Sequence, residues 1–311
     1  MNLRTAFFLV SCLWLLFPCK SRSADGYRAL INQDEGFIAV SSGGRVDRIT
    51  TSGKILKSRK LGNVDFNALL RFERRMCVAG DRGSLYFTTD GETFQKVECG
   101  TDNPIYSLVY FNGKILAGSC EGLLLAGDEK GAFRKLHLAV EGNIVSLSAM
   151  ASECFGVTDK GEILRSFDGL NWSIFDFNAY YAGYYKPCQF TCVSAQENQL
   201  AVAGKYDDGS PLLMLSSQGT VWTERVLTYM DNTGNVSNLI GIPSSIYPDT
   251  AEDQLILVCS KGQVMFLPSC SHCNKLFSVS TEDVRSIAKN GSNWLIVGND
   301  FQRQLLEAGL N

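Results

Sequence analysis

Four runs follow one another between residues 66 and 99: Phe66–Phe72 (FNALLRF), Arg75–Asp81 (RMCVAGD), Gly83–Thr89 (GSLYFTT) and Thr93–Cys99 (TFQKVEC). Each is about 5–7 residues long, rich in β-branched and aromatic side chains, and bounded by Gly, Asp or charged turn residues, the pattern of short strands joined by tight turns. Past the first 24 residues no stretch carries a long apolar period of 3.6, so helices are not expected to organise the chain.

The unit recurs. FIAVSSGG (37–44), MCVAGDRG (76–83), ILAGSCEG (115–122), CFGVTDKG (154–161), LAVAGKYDDG (200–209), LILVCSKG (255–262) and LIVGNDF (295–301) share one shape, an apolar run followed by a polar pair and mostly a Gly. Their closing residues Gly44, Gly83, Gly122, Gly161, Gly209, Gly262 and Phe301 are spaced by 39, 39, 39, 48, 53 and 39. The two longer spacings are the same unit with insertions of 9 and 14 residues. Four strands per roughly 40 residues, repeated seven times, predict an all-β chain in which no unit buries its own faces. The reading is one seven-bladed β-propeller over residues 25–311, with four-stranded antiparallel blades; six blades is the alternative count. The last unit stops at about three strands, and the segment Asp25–Ile31 is expected to complete it and close the ring.

The turn between the third and fourth strands carries a motif. Thr88-Thr89-Asp90-Gly91-Glu92-Thr93-Phe94 and Ser166-Phe167-Asp168-Gly169-Leu170-Asn171-Trp172 occupy it in units two and four, with worn versions at Gly127–Phe133 and Ser216–Trp222. Asp accepts hydrogen bonds from the turn backbone, Gly supplies a positive φ, and the aromatic packs between sheets. The motif resembles the Asp-box, or BNR-like, repeat of the sialidase superfamily and of photosystem II assembly-factor-like propellers, over nearly the whole chain. That resemblance implies a structural role for Asp90, Gly91, Phe94, Asp168, Gly169 and Trp172, away from the ligand face.

Function is expected on the opposite face, which carries the turns between second and third strands and the links between blades. The first insertion, within Asn178–Thr191, supplies Tyr180, Tyr181, Tyr184, Tyr185 and Lys186; Tyr gives large, rigid, amphipathic contact area. These residues, with Arg82, Tyr206, Asp207 and Asp208, are the candidate contact set, and Asp81, Glu121, Asp159, Lys160, Lys261 and Asp300 are expected around the same mouth. A protein or envelope complex is the expected partner, by resemblance to the assembly-factor-like propellers; a glycan is the alternative, with a lectin-like or sialidase-like glycoside hydrolase function.

No enzyme motif is specific. Tyr27-Arg28-Ala29-Leu30-Ile31 lacks the Phe-Arg-Ile-Pro-like segment that the resemblance to catalytic sialidases would require, and no P-loop, GxSxG or HExxH occurs. No catalytic residue and no cofactor is assigned. With two His in 311 residues a His-rich metal site is excluded, and one CxxC at Cys270 and Cys273 lacks the second ligand pair of a zinc site. Cys188 with Cys192, and Cys270 with Cys273, are the local pairs that oxidation could join.

Composition sets the remaining bounds. A chain 45% hydrophobic and 20% charged is globular. Met1–Arg4 followed by the apolar run Thr5–Pro18 and a small, polar Cys19–Ala24 has the layout of a secretory signal, too short to span a bilayer comfortably. Residues 1–24 are therefore expected to be removed and the chain to be secreted or held in the periplasm or envelope; lipid anchoring at Cys19 is the second reading. Without them 26 basic residues face 32 acidic ones, a net charge of −6 that argues against nucleic acid. No later run is long enough to span a membrane.

Overall fold

A computed structural model describes residues 25–128, 130–231, 233–269 and 274–307. The expected export segment, with Cys19, and the Cys270/Cys273 pair lie outside these residues.

Blade one is β1 (Tyr27–Gln33), β2 (Gly36–Ser41), β3 (Arg45–Thr50) and β4 (Ile55–Lys60). Blade two is β5 (Phe66–Phe72), β6 (Arg75–Gly80), β7 (Leu85–Thr88) and β8 (Gln95–Lys96), and blade three is β9 (Ile105–Phe111), β10 (Lys114–Ser119), β11 (Leu123–Gly127) and β12 (Phe133–His137). Blade four, β13 (Ile144–Ala149), β14 (Cys154–Thr158), β15 (Glu162–Ser166) and β16 (Ser173–Asp176), leads through the short helix α1 (Phe177–Tyr180) to blade five: β17 (Cys188–Gln196), β18 (Gln199–Tyr206), β19 (Pro211–Ser216) and β20 (Thr223–Glu224). An inserted hairpin, β21 (Thr228–Met230) and β22 (Val236–Asn238), precedes blade six: β23 (Pro243–Asp249), β24 (Gln254–Cys259), β25 (Gln263–Pro268) and β26 (Lys275–Ser278). Blade seven is β27 (Val284–Asn290), β28 (Asn293–Gly298) and β29 (Arg303–Glu307). Every blade is an antiparallel meander, and the first strands pack in a closed cycle, with β27 returning to β1. The chain is a seven-bladed β-propeller.

The apolar runs that set the repeat are the second strands. Because each sheet is covered on both faces by its neighbours, these strands are apolar throughout rather than alternating, and β2, for instance, is buried at all six positions. Seven hydrophobic clusters fill the seven gaps between blades. Ile38 and Val40 meet Phe66, Met76 and Val78 across the gap between blades one and two, and Tyr27, Phe37 and Ile49 meet Leu295 and Val297 where blade seven returns to blade one. Outer strands are mostly exposed, as in β4.

The ring closes differently from the sequence expectation. Tyr27–Gln33 does not complete the last blade; it is the inner strand of blade one, paired with β2 from Tyr27 opposite Ser41 to Gln33 opposite Gly36. Closure rests on side contacts: a Gly26–Asn299 bridge, a bond from Asp300 N to Asp25 O of 2.7 Å, and Asn290 Nδ2 donating to Gln33 O and Gly36 O. Phe301 adds an edge-on contact with Tyr27, 5.5 Å between centroids. Beneath it the buried Asp47 accepts from Tyr27 Oη and from Arg45, and burial with that bond pushes the Tyr27 phenol up to about 12.

One second-strand position, at or near the end of the strand, holds only small residues: Ser41, Gly80, Ser119, Thr158, Gly204, Cys259 and Gly298. It faces the start of the inner strand, and a Cβ at Gly80 would collide with the backbone of Asp65 and Phe66. Cys188 and Cys192 are both free, which corrects the proposed pairing. They lie four residues apart on one strand, but the register shift between Phe190 and Cys192 turns them to opposite faces, Cys188 into the gap between blades four and five, Cys192 into that between five and six. Burial pushes the thiols of Cys154, Cys188 and Cys192 up to about 12 and raises those of Cys77 and Cys259 as well.

Gly80→Val is expected to lower unfolding stability by about 2–3 kcal/mol or more, read by urea denaturation, because rigid backbone must move to admit the side chain. Among the described cysteines, alkylation of native protein at pH 8 followed by peptide mapping should find the half-exposed Cys120 labelled, and Cys77, Cys154, Cys188, Cys192 and Cys259 protected until denaturant is added, since the thiolate is the nucleophile.

Candidate functional site at the channel mouth

Each inner strand carries an extra residue near its start, marked by a register shift against its partner strand. The extra residues are Arg28, Asn67, Tyr106, Val145, Thr191, Ser244 and Arg285. A bulge re-aims a side chain that would otherwise lie on a sheet face. All seven line two adjoining cavities of about 480 and 430 Å³ at the mouth of the central channel, which share Val145, Ser244 and Arg285. One wall is polar, built from Arg28, Asp65, Asn67, Asp81, Tyr106 and Arg285 of blades one, two, three and seven. The other is more apolar, with Val145, Phe190, Ile242 and Pro243 beside Thr191.

The same residues sew the ring together. Asn67 Nδ2 donates to Ile105 O at 3.1 Å, Thr191 Oγ1 to Pro243 O at 2.6 Å and Ser244 Oγ to Val284 O at 2.9 Å, each reaching the next blade. Arg28 reaches Asp65 of blade two at 3.3 Å. Burial lowers the Arg285 guanidinium from its usual range; Asp283 opposes that and the charge of Arg28 adds to it, so two guanidinia share one partly desolvated mouth. Burial also raises the Tyr106 phenol.

The mouth carboxylates are engaged by the scaffold. Asp65 Oδ1 accepts from Gly43 N at 2.9 Å, Asp283 Oδ1 from Lys261 N at 2.9 Å, and Asn143 Oδ1 takes the equivalent bond from Glu121 N at 3.2 Å, each 22 residues apart. Asp159 accepts from Asn143 N and Nδ2, and Asp81 from Asn67. These bonds lock one blade's inner strand to a neighbouring turn.

Of the residues expected at this mouth, Asp81 and Asp159 line the cavities. Arg82, Glu121, Lys261 and Asp300 instead occupy the first central position of tight hairpin turns, with φ of 56°, 51°, 58° and 52° followed by a second positive φ. That is the turn whose twist suits a two-residue hairpin, so the recurring polar pair has a backbone explanation. Lys160 and Asp207 are exposed. Asp208 is held by Lys186 at 2.5 Å and by Ser210, which lower its carboxyl below the usual range. Tyr206 is 7% exposed and its hydroxyl donates to Glu224 at 3.0 Å, so it belongs to the blade rather than to a contact surface. Among the described residues no group of three His, Cys, Asp or Glu could hold a metal.

The tyrosine loop divides in two. Tyr181 and Tyr185 pack against the cluster between blades four and five, with Phe177, and Tyr181 Oη accepts from Trp222 N at 3.0 Å. Tyr180 and Tyr184 remain 66% and 85% exposed. The insertion thus wedges a blade gap and presents two rings outward.

The turns around Asp90 and Asp168 are built alike. Asp90 Oδ1 accepts from Glu92 N and Thr93 N at 2.7 Å each, and Gly91 N donates to Thr88 Oγ1 at φ 67°. Asp168 Oδ1 accepts from Leu170 N and Asn171 N at 2.8 Å, Gly169 has φ 76°, and Trp172 Nε1 donates to Gly169 O. Backbone donors lower both carboxyls well below the usual range. Phe94 packs at the gap between blades one and two, and Trp172 at that between three and four, so each aromatic seals its blade against the one before.

The bulged residues escaped sequence reading, although their signal was present: Arg28, Asn67, Tyr106 and Val145 are 39 apart. They are unlike one another in chemistry, so periodicity of position, not of residue type, was the trace.

No family model matches the chain, and no curated protein matches it. Solved structures do. The WD40 domain of Neurospora crassa Pan2 matches with a TM-score of 0.69 at 11% identity, over 92% of this chain and 90% of that one. A structure of YCF48 bound to D1 peptide matches at 0.68 and 11%, over 91% and 92%. The computationally designed Ika8 protein matches at 0.63 and 13%, over 90% and 83%. At these identities the likeness is one of fold.

Asp168→Ala is expected to lower the thermal midpoint near pH 7. A carboxyl lowered on folding stabilises above its unfolded value near 3.8 and loses that contribution as pH falls through the folded value. The gap between wild type and variant should therefore narrow in calorimetric scans taken below pH 4.

Proposed function

We propose that the chain is an exported, non-enzymatic β-propeller that binds a segment of a protein partner, alone or within an envelope complex, at the channel mouth. The observation that carries this is the ring of seven bulged residues, which spends a backbone irregularity in every blade to line one amphipathic recess. A recess with one charged and one apolar wall suits a peptide, which offers both kinds of group within a few residues. The solved YCF48 structure, a propeller described as bound to D1 peptide, supports the same class of ligand. The bonding of the Asp90 and Asp168 turns supports kinship with Asp-box propellers, and the layout of residues 1–24 supports export.

The glycan-directed reading is weaker at this site. A glycosidase needs two carboxyls set across one recess for acid and nucleophile or base, whereas Asp65, Asp159 and Asp283 each tie a backbone N–H of the scaffold and Asp81 ties Asn67.

The test is selection of displayed dodecapeptides on immobilised protein, counter-screened on Val145→Asp and Arg285→Ala variants with unchanged thermal midpoints. Enriched peptides should bind the native protein and lose at least tenfold in affinity on both variants. Enrichment that ignores both variants, or no enrichment together with binding on a glycan array, would overturn the assignment.

A further inference from the structure

The outer edge of blade one differs from the other outer edges. β4, Ile55–Lys60, reads ILKSRK; at six residues it is the longest outermost strand among the described residues, where β8 and β20 have two. It pairs with β3 along one side, and in the strand order of its sheet nothing among the described residues lies beyond it. Its other side therefore offers backbone N–H and C=O groups to solvent, a template for another extended chain. Five of its six side chains are exposed, including Ile55 at 37% and Leu56 at 66%.

The edge is also strongly basic in an acidic chain. Lys54, Lys57, Arg59 and Lys60 lie along it, with Arg48 on the neighbouring strand. One carboxylate answers three of these charges: Glu92 of blade two meets Lys57 at 2.7 Å, Arg48 at 3.0 Å and Arg59 at 3.9 Å. Lys54 and Lys60 have no ion pair within the described residues. Lysines on an edge ordinarily guard it against pairing with a like strand. Here the guard is combined with two exposed apolar side chains, and the uncompensated charge that repels a basic strand attracts an acidic one.

We propose that β4 is a docking edge for an acidic, extended segment of a partner protein, which adds to blade one as a fifth strand. Backbone bonding to the open edge gives the attachment, and the charges choose the partner. An antiparallel or parallel acidic strand would set its carboxylates beside Lys57 and Arg59 on the side facing blade two, and beside Lys60 on the other, since side chains alternate between faces. This edge lies at the rim of the ring, separate from the channel mouth, and stands or falls independently of the function assigned there.

The probe is a fluorescein-labelled peptide of alternating glutamate and valine, nine residues long, followed by fluorescence anisotropy with the full chain. Its comparators are the lysine–valine counterpart, the acidic peptide with alternate backbone nitrogens methylated, and heparin as an unstructured polyanion. The acidic peptide is expected to bind and the lysine peptide not; methylation should weaken binding at least tenfold, and so should Lys54→Glu/Lys60→Glu, which touches no ion pair in the described residues. Arg285→Ala, at the channel mouth, should leave it unchanged. Absence of binding would mean that the lysines only guard the edge, and would overturn the proposal. So would methylated peptide or heparin competing as well as the unmodified peptide, because attraction would then be charge without strand addition.

Discussion

Everything in this molecule depends on the gap between neighbouring blades. A four-stranded meander has two apolar faces and cannot hide either alone, so stability exists only when each sheet is roofed on both sides. Seven gaps filled by seven clusters meet that demand, and the ring must close for the seventh to exist. The continuous apolar runs of the second strands, the aromatics that end the third-to-fourth turns, and the wedged Tyr181 and Tyr185 all serve the same gaps. What remains for recognition is whatever the gaps do not consume: the mouth, the rim and a few outward rings.

That division explains what could be read from the chain before its structure. The 39-residue spacing is the imprint of equal gaps, so blade number was legible although the blade that takes Tyr27–Gln33 was not, and Asp90 and Asp168 could be set aside as turn residues. The candidate site was less legible because chemistry and position were decoupled. Arg28, Tyr106 and Arg285 look like ordinary strand residues; a bulge, which leaves no residue signature of its own, turns them into the channel. Conversely Arg82, Glu121 and Lys261 look like a charged ring but hold strained turn positions with exposed side chains. Tyr206 and Tyr185 look like contact residues because tyrosine serves surfaces and interblade packing equally well. Cys188 and Cys192 look like a pair because sequence spacing does not reveal the intervening bulge.

The bulges also bind function to architecture. The residue that lines the mouth in one blade donates to the first carbonyl of the next in blades two, five and six, so the recess is rigid because the ring is. A ligand there meets preorganised donors rather than mobile loops, which lowers the ordering cost of binding. The rim follows other rules: outer strands such as β4 answer to one neighbouring strand and can change charge or length without disturbing the cores.

The closure between blades one and seven has a mechanical meaning. Most propellers of this size could in principle be fastened by a strand borrowed from the far end of the chain; here the seam is held by packing around Tyr27 and Phe301 and by the few bonds of Asn290, Asp300 and Gly26. Such a seam behaves as a clasp rather than a weld. Blades two through six are bound on both sides by covalent continuity, whereas the clasp joins blades seven and one by non-covalent contact alone, so the cluster around Tyr27, Phe37 and Leu295 does there what the chain itself does elsewhere.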